Sequence, residues 1–448
     1  MDRVHSTAPS TGIDYLIIGG GLAGAMAAEA IRERGVGGRV VIITDDHERP
    51  YHRPPLSKEY LRGEQERKEV FVHPQEWYQE NGVELMQRTR VTHLDAQLHQ
   101  VTLEDGRTLD YKKLLLATGG TPKHLEIPGA ELDGVHYLRW LDDSDALRSA
   151  AAKAKHAAVI GGSFIGVEAA AALVSYKVDT TVIVKGKTIW SSFMPEHVAQ
   201  FFQQTLSDHG VKFLTEDEAV RILPQSGQMH AGRVGTKNGH TVGGDLVVAG
   251  IGINLNRELA DAALLAYDAE TQGVRVNEYL QTSDPDIYAA GDIAAFPDPV
   301  FGQRRIEHWD TALSQGKTAG ANMAGANEAY DHVQYYFSDL FDLGIEVLGN
   351  PKADAHTIVR GTMEDRSFAV LYLDGGRDTV VGALTVNRPP EELDQYRVLI
   401  RQKASLRGFL REAERNPDED LTGLVEDLDA ANEMLEESAQ EHEPEEAT

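Results

Sequence analysis

Short runs of consecutive apolar residues, several of them closed by glycine, recur along this chain and predict buried strands. Asp14-Tyr15-Leu16-Ile17-Ile18 runs straight into Gly19-Gly20-Gly21-Leu22-Ala23-Gly24, and an alanine-rich stretch from Ala25 to Arg34 predicts a helix. A second strand, Arg39 to Ile43, ends at Thr44-Asp45-Asp46. The pattern returns with His156 to Ile160 as strand, Gly161-Gly162-Ser163-Phe164-Ile165-Gly166 as turn, Val167 to Ser175 as helix and Thr180 to Val184 as strand. Strands also read at Leu114-Leu115-Leu116, at Asp286 to Ala290 and at Val380 to Leu384. Strands alternating with helices predict an α/β protein. No run approaches the ~20 apolar residues of a membrane helix. Met1 to Thr11 has no apolar core of a signal peptide, so a cytoplasmic location without membrane insertion is the expectation.

Each glycine of the first turn has a physical task. Gly19 permits the tight turn, Gly21 leaves room for a pyrophosphate, and Gly24 lets the helix approach the strand. The unpaired amides of the helix N-terminus then favour an anion. Asp45, about 20 residues on, can accept hydrogen bonds from a ribose diol. This is a dinucleotide fingerprint in its full strand–turn–helix–strand setting. In the second unit Ser163 stands at the middle glycine, and the following strand ends in Lys185-Gly186-Lys187 instead of an acid. Two lysines there favour a 2′-phosphate, which inclines the second site to NADPH, with NADH as the alternative. Two units mean two dinucleotides, one resident and one exchangeable.

The chain has no cysteine. Redox-active disulfides, thiolate nucleophiles and cysteine-bound clusters are therefore excluded, and electrons must travel on bound cofactors. The 17 histidines show no metal-ligand spacing with a third ligand, so no metal site is expected. The formal charge of −28 disfavours nucleic acid as a partner. Much of the excess lies from Arg411 onward, which reads as a mobile, disordered acidic tail with at most one weak helix from Asp420 to Glu437.

Further segments resemble the FAD-dependent pyridine nucleotide-disulphide oxidoreductase superfamily. Ala117-Thr118-Gly119 is similar to its crossover turn, and Gly291-Asp292 after a strand is similar to its ribityl-binding motif. Arg49-Pro50-Tyr51-His52-Arg53-Pro54-Pro55-Leu56-Ser57-Lys58 resembles the oxygenase-coupled ferredoxin reductases and apoptosis-inducing factor, which lack the disulfide. Its double proline is expected to hold an extended loop that enters a helix near Ser57. Arg305-Ile306-Glu307-His308-Trp309 resembles the same reductases, and Tyr335 to Leu343 is similar to monodehydroascorbate reductases as well. The resemblance implies FAD contacts at Gly19, Gly21, Leu22, Ala23, Gly24, Asp45, Arg53, Lys58, Ala117, Thr118, Gly119, Gly291, Asp292, Glu307, His308 and Trp309. It implies nicotinamide-dinucleotide contacts at Gly161, Ser163, Phe164, Ile165, Gly166, Glu168, Lys185, Lys187 and Gly252. Lys58, Glu168 and Trp309 would be the catalytic group, with Lys58 and Glu168 paired at the flavin edge and Trp309 beside the ring.

The expected architecture is two Rossmann-like domains of glutathione-reductase type plus a C-terminal α+β domain. An FAD domain would span 12–120 and 245–325, a nicotinamide domain 121–244, the α+β domain 326–410 and the tail 411–448. The implied activity passes a hydride from NADPH or NADH to FAD and electrons onward to an iron–sulfur protein. Alternatives are a small one-electron acceptor, such as a quinone or monodehydroascorbate, or a redox-controlled binding protein like apoptosis-inducing factor. The overall acidity sits poorly with an acidic ferredoxin, unless Arg304, Arg305 and Arg401 form a local basic patch. A homodimer is compatible with the family, and no sequence feature decides it.

Overall fold

A computed structural model describes residues 12–376, 378–408, 410–416 and 420–422. The chain divides into two compact units, 1–186 with 207–332 and 187–206 with 333–448. The stretch 187–206, which the sequence groups with the nicotinamide domain, thus packs within the second unit.

The first unit carries both predicted fingerprints, each on parallel strands of its own sheet. In the first sheet the order is Val83–Met86, Val40–Ile43, Ile13–Ile18, Thr108–Leu116, with Ile287–Ala289 added in parallel on the last. The antiparallel strands Gln100–Leu103 and Val91–Asp95 continue it. Ile13–Ile18 pairs in register with Leu114–Leu116 through Leu16↔Leu114 and Ile18↔Leu116. The second sheet is parallel throughout, in the order Lys212–Leu214, Asp179–Ile183, His156–Ile160, Leu246–Ala249, Val135–Tyr137. Strands covered on both faces read as continuous apolar runs, which is why the sequence exposed them so clearly. The α/β class with two Rossmann-like sheets is borne out.

Helix Leu22–Glu33 follows the first turn and packs against helix Trp309–Met323. The crossing is close because Gly316 and Gly320 face it. A Cβ at Gly316 would stand 2.5 Å from the Ala23 carbonyl oxygen, and one at Gly320 would stand 2.3 Å from that of Ala27. This contact brings Trp309, at the start of the later helix, beside Leu22 and Met26 of the earlier one.

The double proline does not hold an extended loop. Pro54–Ser57 is a 3-10 turn leading into the short helix Glu59–Arg62. The proline φ of about −65° suits the first turn of a helix as well as an extended chain, and Pro lacks only an amide that such a turn leaves unpaired.

The second unit is built on a five-stranded antiparallel sheet, Tyr335–Leu340, Leu343–Gly349, Val380–Val386, Ser367–Leu373, His356–Thr362, with helix Pro390–Arg401 against it. This is the expected C-terminal α+β domain. Phe201 and Phe193 of the 187–206 stretch stack edge-on against Phe368 and Tyr336. Arg360 is fully buried and donates to the carbonyls of Ala413 and Asn416 and to the Tyr396 hydroxyl. Ordered packing therefore continues through helix Leu410–Arg415, so the disordered tail expected from Arg411 does not begin there, because Arg360 ties its first turn to the sheet. Apart from 420–422, the helix expected over Asp420–Glu437 lies outside the described residues. Among the described residues no helix is long and apolar enough to cross a membrane.

Candidate functional site

The three fingerprint glycines of the first turn, Gly19, Gly21 and Gly24, have the geometry their spacing demands. Gly19 has φ +123°, and a Cβ there would lie 2.2 Å from the Ala117 carbonyl oxygen. A Cβ at Gly24 would lie 2.1 Å from the Gly19 carbonyl oxygen, so helix and strand touch backbone to backbone. At Gly21, in extended conformation, a Cβ would meet nothing within 4 Å. Space is kept open at the one position where a phosphate needs it. Asp45 closes the second strand and lines a cavity of about 590 Å³ with Asp46, His47, Arg88, Arg90 and Trp140.

Two guanidinium groups meet behind this turn. Arg139 forms an ion pair with Asp292 at 2.9 Å, both nearly buried. The positive charge of Arg139 also bears on Arg53, whose pKa is pushed down to about 10, chiefly by burial. Arg53 keeps some surface open to water, yet protein encloses it, as expected for a group lining a recess. Asp292 and Asp46 draw on Arg53 in the opposite sense. Gly119 lies at the same place, with its Cβ position 3.2 Å from Arg139 and 3.8 Å from Asp292. Two donors here lack any partner: Nε of Arg139 and Nε2 of Gln315, whose Oε1 accepts the Gly291 amide at 2.9 Å. Unpaired buried donors, two adjoining guanidinium groups and the open position at Gly21 fit an acceptor-rich diphosphate dinucleotide such as FAD.

The second turn repeats the backbone of the first. A Cβ at Gly161 would lie 2.3 Å from the Gly250 carbonyl oxygen, and one at Gly166 would lie 2.2 Å from that of Gly161. Ser163 is tolerated because its hydroxyl is turned back to donate to Gly250 at 3.0 Å. Glu168, on the helix Phe164–Ser175, is buried and accepts from the Ser57 hydroxyl at 2.5 Å, across 111 positions of sequence. Lys58, the next residue, is buried too. Phe164 stands edge-on to His308, ring centroids 6.3 Å apart. Burial pushes the His308 pKa down to about 4, with Asp292 and Asp310 pulling it back up and Arg304 opposing them. The ring is therefore neutral at pH 7. The Trp309 indole donates to Nδ1 of His52 at 3.0 Å, and burial holds His52 below the ordinary histidine range.

The segment 12–120, the second fingerprint helix and the start of helix Trp309–Met323 thus converge in one unit. A family model described as Pyridine nucleotide-disulphide oxidoreductase matches residues 13–316, and one described as Reductase C-terminal matches 335–424. The chain belongs to the pyridine nucleotide-disulphide oxidoreductase family. This oxidoreductase is 36% identical over 379 residues to the ferredoxin–NAD(+) reductase component of the anthranilate 1,2-dioxygenase system of Burkholderia cepacia, covering 83% of this chain and 90% of that one. It is 33% identical over 382 residues to putidaredoxin reductase of Pseudomonas putida, covering 84% and 89%. The crystal structure of the covalent putidaredoxin reductase–putidaredoxin complex superposes with a TM-score of 0.83 at 30% identity, covering 91% of this chain and all of that one. The oxidoreductase uses FAD and a nicotinamide dinucleotide.

Other candidate residues of the oxidoreductase are held by partners of their own. Glu307 is exposed and paired with Arg305 at 2.8 Å. Gly252 lies in an exposed left-handed turn (φ +94°) whose carbonyl accepts the Lys123 amide. Thr118 and Asn256 exchange two hydrogen bonds that brace the crossover. Lys185 is paired with Glu218 at 2.6 Å, and Lys187, in the second unit, lies 3.9 Å from Glu196. The two lysines are therefore not an isolated cationic pair. Sequence reading missed Arg139, Ser57, His52 and Glu218, and Arg139-Trp140 carries no motif that could have marked it.

Proposed function

We propose that this oxidoreductase takes a hydride from a nicotinamide dinucleotide on FAD and delivers electrons singly to a small iron–sulfur protein. The observation that carries the reading is the Ser57–Glu168 hydrogen bond in a chain without cysteine. It ties the segment before the first unit's short helix to the second fingerprint helix, at the point where two stacked rings would meet. The family's disulfide is missing there, so electrons leave the flavin without a thiol relay. Bound FAD supplies the two-electron acceptor and one-electron donor chemistry, which belongs to the cofactor.

In this reading 12–120 and 245–325 hold FAD and 121–244 holds the nicotinamide dinucleotide. Arg53 and Arg139 neutralise the diphosphate, and Gln315 and Arg139 offer their unpaired donors to it or to the ribityl chain. Lys58 and Glu168 form the buried pair at the flavin edge and fix the nicotinamide carboxamide, with Ser57 orienting the carboxylate. Phe164 and the neutral His308 wall the ring space and exclude water. Trp309, held by His52, borders the side from which electrons leave. The relatives named as ferredoxin reductases support an iron–sulfur acceptor over a quinone.

Anaerobic stopped-flow reduction by NADH and NADPH, followed by reoxidation with a [2Fe–2S] ferredoxin, a quinone and oxygen, tests this. Rapid bleaching and fastest reoxidation by the ferredoxin are expected. Fastest reoxidation by the quinone would make the protein a small-molecule reductase instead. Slow bleaching to a stable charge-transfer species would place it with redox-controlled binding proteins.

A further inference from the structure

The end of the strand Asp179–Ile183 is where a nicotinamide dinucleotide presents its adenosine ribose, and an acid at that point selects the free 2′-hydroxyl. This chain has Lys185 there. A carboxylate nevertheless reaches the same place from a segment 33 positions downstream. Residues 214–218 are bolted across the strand end by backbone hydrogen bonds, Val184 N to Leu214 O at 2.9 Å, Glu216 N to Gly186 O at 3.0 Å and Asp217 N to Val184 O at 3.2 Å. Glu216 takes a left-handed conformation (φ 54°), which turns the chain at that point.

The next residue locks the turn. The Asp217 side chain has no exposed surface and accepts from the Thr236 hydroxyl at 2.6 Å and from the amides of Glu218 and Asn238, with His240 Nδ1 at 2.8 Å. Burial alone would raise this carboxyl, but these hydrogen bonds hold it far below the ordinary range, so it stays an anion. Glu218 is then fixed on both sides, since its carbonyl also accepts the Lys237 amide at 2.8 Å. Its side chain accepts from Lys185 Nζ at 2.6 Å.

We propose that Glu218 is the specificity-determining residue of the second dinucleotide site, replacing the acid missing from the strand end and selecting NADH over NADPH. The proposal rests on the assignment of that site to the nicotinamide dinucleotide. A ribose 2′-hydroxyl can donate to Glu218 while Lys185 stays paired. A 2′-phosphate must instead separate the pair and remain beside the Glu218 carboxylate, and like charges in contact repel. Of the two lysines that incline the sequence towards NADPH, Lys185 is therefore masked by a neighbour that the spacing of the fingerprint does not include.

The test compares the holoenzyme with Glu218→Gln and with the double variant Glu218→Gln/Lys185→Ala. Two readouts are taken: kcat/KM for NADH and NADPH, and the equilibrium dissociation constants of 2′,5′-ADP and 5′-ADP by calorimetry. The native protein is expected to favour NADH and 5′-ADP. Glu218→Gln should raise affinity for 2′,5′-ADP, and kcat/KM for NADPH, by roughly ten- to a hundredfold, acting through KM. Removing Lys185 as well should abolish the gain. A native preference for NADPH, or an unchanged ratio in Glu218→Gln, overturns the proposal. If neither coenzyme bleaches the flavin and neither nucleotide binds, the functional assignment fails. If both bind and reduce but the ratio does not move, only the role of Glu218 fails.

Discussion

His308 should make the protein measurably sensitive to mild acid, and the size of the effect follows from its surroundings. Its ordinary pKa of 6.5 is lowered to about 4, mainly by burial, against the pull of Asp292 and Asp310. The unfolded chain therefore binds the proton first on acidification. The stability contribution is complete above about pH 6.5 and is lost as pH falls towards 4. The drop from 6.5 to about 4, at ~1.4 kcal/mol per tenfold change in proton affinity, sets a ceiling of about 3.5 kcal/mol, of which about 2 kcal/mol falls between pH 7 and 5. The perturbation is His308→Asn or His308→Gln, each keeping a polar group of similar reach without the titration. Urea titrations from pH 5 to 7, with flavin fluorescence reporting opening of the unit that carries the site, give the dependence of stability on pH. A loss of packing common to all pH values moves the curves down together and leaves their slope alone. Burial also lowers His52, His73 and His136, and these contribute equally in both proteins. Both variants should lose about 2 kcal/mol of the native change across this window. Slopes agreeing to within about 0.5 kcal/mol would refute the claim that the buried ring is the acid-sensitive group.

Arg139→Met should weaken FAD binding to the apoprotein by about a hundred- to a thousandfold in a fluorescence titration, because Asp292 loses its buried partner and the recess loses a cation. Arg139→Lys should restore only part of this, since an ammonium lacks the planar donor fork. Gly21→Ala and Gly24→Ala should separate binding from folding. The first should leave the apoprotein Tm unchanged and weaken FAD uptake, whereas the second, with its Cβ 2.1 Å from Gly19, should lower the Tm of the apoprotein itself. Ser57→Ala should slow flavin reduction by about tenfold or more, from a hydrogen bond to a buried carboxylate worth roughly 1.5–3 kcal/mol, with partial rescue by Ser57→Thr in anaerobic stopped flow.

What was legible in the sequence is what is local. The strand His156–Ile160 falls where the apolar run predicts it, and the turn glycines Gly19 and Gly161 adopt the positive φ that their spacing implies. These features depend on a few consecutive residues and on one backbone geometry. The features that sequence reading missed are pairings between distant segments. Ser57 meets Glu168 across 111 positions, and Arg139 meets Asp292 across 153. No periodicity encodes such contacts, because the sheets bring the partners together only after each has formed. The Lys185–Glu218 ion pair is hidden for the same reason, since Glu218 arrives from beyond the neighbouring strand. The error over Pro54-Pro55 was of another kind. A proline φ is shared by extended chain and first helical turn, and the residues after it decide between them.

The two fingerprints also differ in a way that bears on what each can hold. At the first turn Leu22, Ala23 and Gly24 are buried, whereas their counterparts Phe164 and Ile165 keep accessible surface, and Ile165 is 37% exposed. The cations follow the same division. Arg53 and Arg139 stand beside the first turn in an enclosed recess, while Lys185 at the second strand end is 76% exposed. A charge–phosphate contact gains several-fold in strength as the effective dielectric falls from that of water to that of a protein interior. An anion at the first turn would therefore sit in a low-dielectric setting beside two guanidinium groups. An anion at the second competes with solvent and with Glu218 for a screened lysine. One backbone motif used twice thus suits a resident cofactor in the first place and an exchangeable coenzyme in the second, and the difference lies in burial and charge around the turn more than in the turn itself.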